Sequence, residues 1–102
     1  GVAYKADIDD MRESPAIRIA ELLLEKEAEL VYHDPYVPSL KINGTSVPAV
    51  DLTAEEVSSA AAVLVVTDHS SVDYGLVVEK AQLVPDTRNA LKGKASPKIR
   101  RL

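Results

Sequence analysis

Three groups of side chains in this sequence have the types and spacing to do chemistry. His33-Asp34 and Asp68-His69 together offer two imidazoles and two carboxylates, the donor set of a metal site if the two segments meet. Adjacent residues at strand ends point in different directions, which argues against all four converging on one ion. Asp68, His69 and Ser70 hold the residue types of a hydrolytic triad. Consecutive side chains cannot align nucleophile, base and orienter, and no G-x-S-x-G elbow accompanies them, so caps and loop hydrogen bonds account for them better. The third group is cationic: Lys5, Arg12 and Arg88, with the N-terminus of a helix following Ser14, could receive a phosphate.

Other chemistry is closed. The four glycines, Gly1, Gly44, Gly75 and Gly93, form neither G-x-G-x-x-G nor G-x-x-x-x-G-K-[ST]. There is no cysteine, hence no disulfide, thiolate ligand or cysteine nucleophile. Net charge is unevenly spread: residues 1–87 carry 6 basic and 16 acidic side chains, whereas 88–102 carry 6 basic and none acidic. The acidic body argues against wrapping nucleic acid. The basic tail, Arg88, Lys92, Lys94, Lys98, Arg100 and Arg101, reads as a solvated edge in preference to a surface for an anion.

The elements that must position these groups are legible in outline. With 102 residues and 46% hydrophobic composition the chain is expected to be one domain, residues 1–102, burying about two-thirds of its unfolded surface. Its longest nearly apolar stretch, Ala60 to Val66, falls far short of the about 20 residues of a membrane span, and no signal peptide opens the chain. A cytoplasmic setting without membrane contact is the expectation. Gly1 to Tyr4 reads as the end of a strand and Lys5 to Glu13 as a loop. Ser14-Pro15 caps a helix whose Ile17, Ala20, Leu23 and Leu24 share one face through Lys26. That helix ends at Glu27-Ala28 without the usual glycine.

Glu29 to Tyr32 alternates like a short strand, stopped by the prolines of His33-Asp-Pro-Tyr-Val-Pro38. Residues 39–50, with Asn43-Gly44, read as a loop or small hairpin. Thr53-Ala-Glu-Glu56 has capping-box spacing and starts a short helix to Ser59. The apolar run Ala61 to Val66 predicts a strand buried on both faces, at the sheet centre. Asp68 to Asp73 reads as a loop, Tyr74 to Ala81 as a helix, Leu83-Val84 as a strand and Lys98 to Leu102 as an edge strand. This alternation predicts an α/β fold, a three-layer Rossmann-like sandwich with a mostly parallel sheet. Lys5, His33, Thr67-Asp68 and Asp86-Thr-Arg88 should then gather on one rim, beyond the carboxyl ends of the strands.

The segment Gly1-Val-Ala-Tyr-Lys-Ala-Asp-Ile-Asp-Asp-Met-Arg-Glu-Ser-Pro-Ala16 resembles the opening of the C-terminal, nucleotide-sugar-binding domain of the UDP-glucose/GDP-mannose dehydrogenase family. Tyr32-His-Asp-Pro-Tyr-Val-Pro38, Thr67-Asp-His69 and Asp86-Thr-Arg-Asn89 are similar to later signatures of that domain, in the same order. The wording of the second is most similar to the branch that oxidises UDP-N-acetylhexosamines.

The resemblance implies an NAD-dependent oxidation of a sugar 6-hydroxyl to a carboxylate in two hydride transfers. In that family an N-terminal NAD-binding Rossmann domain and a central dimerising helix accompany the C-terminal domain, so a homo-oligomeric parent is implied. It further implies that Lys5 contacts the diphosphate of a UDP-sugar, that Tyr4 lines the nucleotide pocket, that Arg88 holds the ligand from the opposite strand end, and that Arg12 reaches toward NAD. A guanidinium fork suits a diphosphate because it meets two oxygens at once. The family's glycine loop and catalytic cysteine have no counterpart here. The chain is therefore expected to be a fragment, inactive alone and with its first strand truncated. Glu27 stands where the family commonly has glycine. The competing expectation is an autonomous α/β module that recognises an anionic small molecule or a protein partner.

Overall fold

The computed structural model of the chain describes residues 1–3, 14–87, 90–91 and 96–101. Helix α1 (Pro15–Glu25) begins where the sequence places it: the Ser14 side chain accepts from the Ala16 N–H, and Pro15 occupies the first turn. The helix closes in a Schellman arrangement. Ala28 N–H reaches Leu23 O at 3.1 Å and Glu27 N–H reaches Leu24 O at 3.0 Å. Such a closure requires a left-handed residue, and Glu27 supplies it at φ 63°.

Next comes a hairpin, β1 (Lys41–Ile42) and β2 (Thr45–Ser46), paired antiparallel. Asn43 at φ 51° and Gly44 at φ 80° make its two-residue turn, both left-handed as a type I′ turn demands. Helix α2 (Ala54–Ser59) is capped by Thr53, which accepts from Glu56 N–H, and α3 (Tyr74–Lys80) by Asp73, which accepts from Leu76 N–H. Strands β3 (Val84–Asp86) and β4 (Ile99–Arg101) pair in parallel.

The α/β content matches expectation, while the pairing among the described residues is sparser than one continuous sheet. The segments expected as strands at 29–32 and 61–66 contribute single parallel bridges, Tyr32 to Ala49 and Val65 to Asp86. Segment 63–65, β3 and β4 lie side by side in parallel, so β3, and not the expected 61–66 run, is in the middle of the described pairing, and β4 lies outside it as the sequence predicts.

Two apolar clusters form. In one, Ile17, Ala20 and Leu24 of α1 lie against Ala3, Tyr32, Val37, Ile42 and Val47. In the other, Val57 of α2, Val77 of α3 and Ala81 just past its end cover Val65, Val84, Leu91 and Ile99. No described helix is long and apolar enough to cross a membrane.

The α1 terminus makes a direct test of these energetics. A left-handed conformation costs a non-glycine residue about 1–2 kcal/mol, and a carboxylate at this end of α1 opposes the helix dipole. Glu27→Gly is expected to stabilise the chain by about 1 kcal/mol, or about 4–8 °C in Tm. Glu27→Ala, which keeps the Cβ, should give much less. Thermal melts of the three proteins check this.

Candidate functional site

Thr67, expected at one rim, and Asp34, the neighbour of His33 expected there, both meet the chain's first residues. Asp34 opens a turn in which Val37 N–H returns to Asp34 O at 3.1 Å, with Pro35 presetting its first central position. The Asp34 side chain folds back on the same turn, Oδ1 accepting from Tyr36 N–H at 2.8 Å. Oδ2 then faces inward and receives three donors: Val2 N–H at 2.8 Å, Ala3 N–H at 3.1 Å and His69 Nε2 at 2.7 Å. Both the Asp34 and His69 side chains are shut off from solvent.

Burial alone raises the Asp34 pKa, but the Val2, Tyr36 and Ala3 amides and the His69 ring together outweigh it and hold the carboxyl below its ordinary range. The ring of Tyr36 lies over that of His69, centroids 4.7 Å apart and tilted by 41°.

Two hydroxyls finish the anchoring of the chain's first residues. Fully buried Thr67 donates from Oγ1 to Ala3 O, and Ser14 donates to Val2 O at 2.6 Å. Residues 3 and 14 border the segment 4–13, so these contacts, with those from Asp34, fix both of its ends.

A second buried carboxylate performs the same task on the other side of Val65. Asp86 ends β3, and its Oδ1 and Oδ2 accept from Ala90 N–H at 3.1 Å and Leu91 N–H at 3.0 Å, bracketing residues 88–89. Thr87 ties this corner back, its Oγ1 donating to Val65 O at 2.8 Å. A buried aspartate at the end of a parallel segment thus holds described residues next to each of these two segments.

Tyr4, Lys5, Arg12 and Arg88, the residues singled out from the sequence for ligand contacts, all lie outside the described residues. What is described is the framework from which their segments leave. His33 and Asp68 do not join the Asp34–His69 pair; His33 donates from Nδ1 to Val50 O at 2.9 Å. No group of three or more His, Cys, Asp or Glu that could hold a metal occurs among the described residues. In the basic tail, Lys98 donates from Nζ to Val78 O at 3.1 Å and Glu79 O at 2.9 Å, satisfying carbonyls at the end of α3.

The anchoring roles of Asp34, Thr67 and Asp86 were not read from the sequence. The available signal was an acidic or hydroxyl residue directly after a predicted buried segment, where an unpaired carboxylate would be costly and must find donors.

Residues 1–93 match the family described as "UDP-glucose/GDP-mannose dehydrogenase family, UDP binding domain". The chain is 32% identical over 97 residues to a UDP-N-acetyl-D-mannosamine dehydrogenase of Pyrococcus horikoshii, covering 90% of this chain and 21% of that protein. It is 36% identical over 59 residues to a GDP-mannose 6-dehydrogenase of Pseudomonas aeruginosa, covering 58% of this chain and 14% of that one. The solved structure of UDP-D-ManNAc dehydrogenase from Pyrococcus horikoshii superimposes with a TM-score of 0.74 at 28% identity, over 99% of this chain and 23% of that structure. The chain therefore spans less than a quarter of the length of these relatives.

The rim's dependence on Asp34 is testable through stability and its pH profile. Asp34→Asn puts an NH2 or a neutral oxygen where three donors converge, and each buried donor left unsatisfied typically costs about 1–3 kcal/mol. A loss of about 3 kcal/mol is expected at pH 7. Because the folded-state pKa is depressed, the Asp34 contribution is complete above the ordinary aspartate pKa of about 3.9 and disappears as pH falls through the lower folded value. Urea titrations should show the gap between wild type and Asp34→Asn constant from pH 7 to 5 and closing below about pH 4.

Proposed function

The chain belongs to the UDP-glucose/GDP-mannose dehydrogenase family, matching its UDP-binding domain over residues 1–93, and from that premise we propose that it forms the nucleotide-sugar wall of an NAD-dependent UDP-sugar 6-dehydrogenase. The parent enzyme oxidises the sugar 6-hydroxyl to a carboxylate. UDP-N-acetylmannosamine is the substrate we assign, in line with the name of the Pyrococcus horikoshii relative. The observation that carries the reading is the family match over the segments that the two aspartates anchor.

In this reading Lys5 pairs with the diphosphate, Tyr4 lines the nucleotide pocket and Arg88 closes on the ligand from the second loop. Arg12 projects toward NAD across the cleft. Lys5 follows the anchored Ala3 and Arg88 follows the anchored corner at Asp86 and Thr87, so the two cations leave neighbouring points of one rim. Binding a doubly charged diphosphate from two sides fixes its position as well as its charge.

NAD, when bound, accepts the hydride. The described residues do not fit it as a self-sufficient site. Among the described residues the one long helix, α1, has its Ser14 cap tied to its own Ala16 N–H and to Val2 O, and the sequence contains no glycine-rich loop. The cofactor and the thiol chemistry therefore belong to the parent's N-terminal domain, and this chain's own residues bind and orient the substrate. A homo-oligomeric, cytoplasmic parent completes the proposal.

Two outcomes follow. The purified chain should produce no NADH from NAD with UDP-glucose or UDP-N-acetylhexosamines, since it has no cysteine to carry an acyl intermediate; turnover above background contradicts the reading. In the parent enzyme, Lys5→Ala and Arg88→Ala should each raise the UDP-sugar Kd about tenfold to a hundredfold, the worth of one charge-assisted hydrogen bond, with NAD affinity nearly unchanged. Arg12→Ala should do the reverse. Separate equilibrium titrations with each ligand check this, and small equal effects on both would remove the assignment.

A further inference from the structure

The hairpin of β1 and β2 carries Asn43-Gly44 at its tip, a pair with a reaction of its own. The main-chain nitrogen of the residue after an asparagine can attack the side-chain amide carbon, Cγ. The N–Cγ bond forms, the Cγ–Nδ2 bond breaks, and ammonia leaves with the proton that the nitrogen gives up. The five-membered imide then takes up one water. Opening at Cγ leaves aspartate, whereas opening at the main-chain carbonyl leaves isoaspartate, whose backbone runs through Cβ and Cγ. Glycine in the second position gives the attacking nitrogen its least hindered approach. Here a Cβ added to Gly44 would meet no atom within 4 Å, and Asn43, Gly44, Thr45 and Ser46 are all exposed to water.

The folded turn withholds the reaction all the same. Ring closure needs the Gly44 nitrogen to eclipse Asn43 Cβ, an Asn43 ψ of about −120°, whereas the left-handed region that Asn43 occupies has ψ of about +30 to +60°. The nucleophile stays turned away from Cγ while the turn holds.

Two buried side chains hold it. Ile42 is 1% exposed and Val47 6%, both packed in the cluster with Tyr32 and Ile17. Val47 N–H also donates to Leu40 O at 2.9 Å. The strands themselves have two residues each, and a two-stranded hairpin is marginal without such packing. Opening requires only that these side chains leave the cluster, a local event less costly than unfolding the chain.

We infer that Asn43-Gly44 is a modification site gated by this hairpin: the imide forms when the hairpin opens, and isoaspartate then prevents it from closing. The second half follows from covalent geometry. Isoaspartate adds one methylene to the main chain between Ile42 and Thr45, and a two-residue turn with those residues directly opposite leaves no room for it. Aspartate, the other product, keeps the natural main chain and tolerates the left-handed region. The inference rests on the hairpin alone and is independent of the nucleotide reading.

The test incubates the whole chain in mildly alkaline buffer, folded and in urea, and follows aspartate and isoaspartate at position 43 by mass spectrometry of proteolytic fragments. The folded chain should react at least about tenfold more slowly than the chain in urea. Ile42→Ala, shown to be folded by circular dichroism, should lose most of that difference in buffer and keep the wild-type rate in urea; Val47→Ala takes its place if it does not fold. Hydrogen exchange at the Val47 amide reads the second step: protection is retained in Asn43→Asp and lost in isoaspartyl chains separated by chromatography. Equal rates folded and in urea, no isoaspartate in either, a folded variant that reacts no faster than wild type, or equal Val47 protection in the two products overturns the inference.

Discussion

One carboxylate in a closed ring of donors organises this chain. A carboxylate only accepts, with about four lone-pair directions, and Asp34 uses its two oxygens on four partners from three separate parts of the sequence. Those partners are the first residues of the chain, the Asp34 turn itself and His69. No neutral side chain of this size can receive all four, and glutamate would place its oxygens one methylene too far. The charge is kept in the interior because its donors offset the desolvation, which is why its pKa lies below the ordinary range despite burial.

From that constraint the division of labour follows. Buried groups at the ends of parallel segments, Asp34, Thr67 and Asp86, hold the backbone; the cations proposed for the ligand follow, in sequence, the residues those groups hold. Loops on a rigid frame are where binding residues concentrate, since the frame fixes their ends while the sequence between is free to meet a ligand. The segregation of charge fits this arrangement. A body with 16 acidic and 6 basic side chains offers an anion little general attraction, so a nucleotide diphosphate must be met by a few placed cations.

Local features were legible in the sequence because their causes are local. The Ser14-Pro15 start, the Thr53 cap, the Asn43-Gly44 turn and the Asp34-Pro35 corner each rest on side-chain or dihedral preferences within four residues. Glu27 could be flagged for the glycine it replaces, and its φ of 63° shows the backbone keeping the glycine-type closure.

Non-local features were beyond such reasoning. The sequence offered His69 and Asp34 as residue types, yet their contact spans 35 positions and depends on the whole fold. The apolar run 61–66 was expected to be buried on both faces, yet only Val65 and Val66 are buried while Ala61 and Ala62 are exposed, because burial depends on what packs against the run and not on its composition. Of the ligand contacts, the resemblance could name residues and the frame could be described, while Tyr4, Lys5, Arg12 and Arg88 themselves lie outside the described residues.

The central claim is that the rim built around Asp34 and Asp86 is the uridine-diphosphate face. The most direct measurement is a titration of isotope-labelled chain with UDP, and separately with AMP, followed by NMR at the amides that frame the two loops. The account predicts that UDP moves the signals of Val2, Ala3, Tyr36, Ala90 and Leu91 with a Kd of about 0.1 to a few millimolar, and that AMP moves them far less at equal concentration. Signals that stay fixed at these five positions, or that respond equally to both nucleotides, would contradict it.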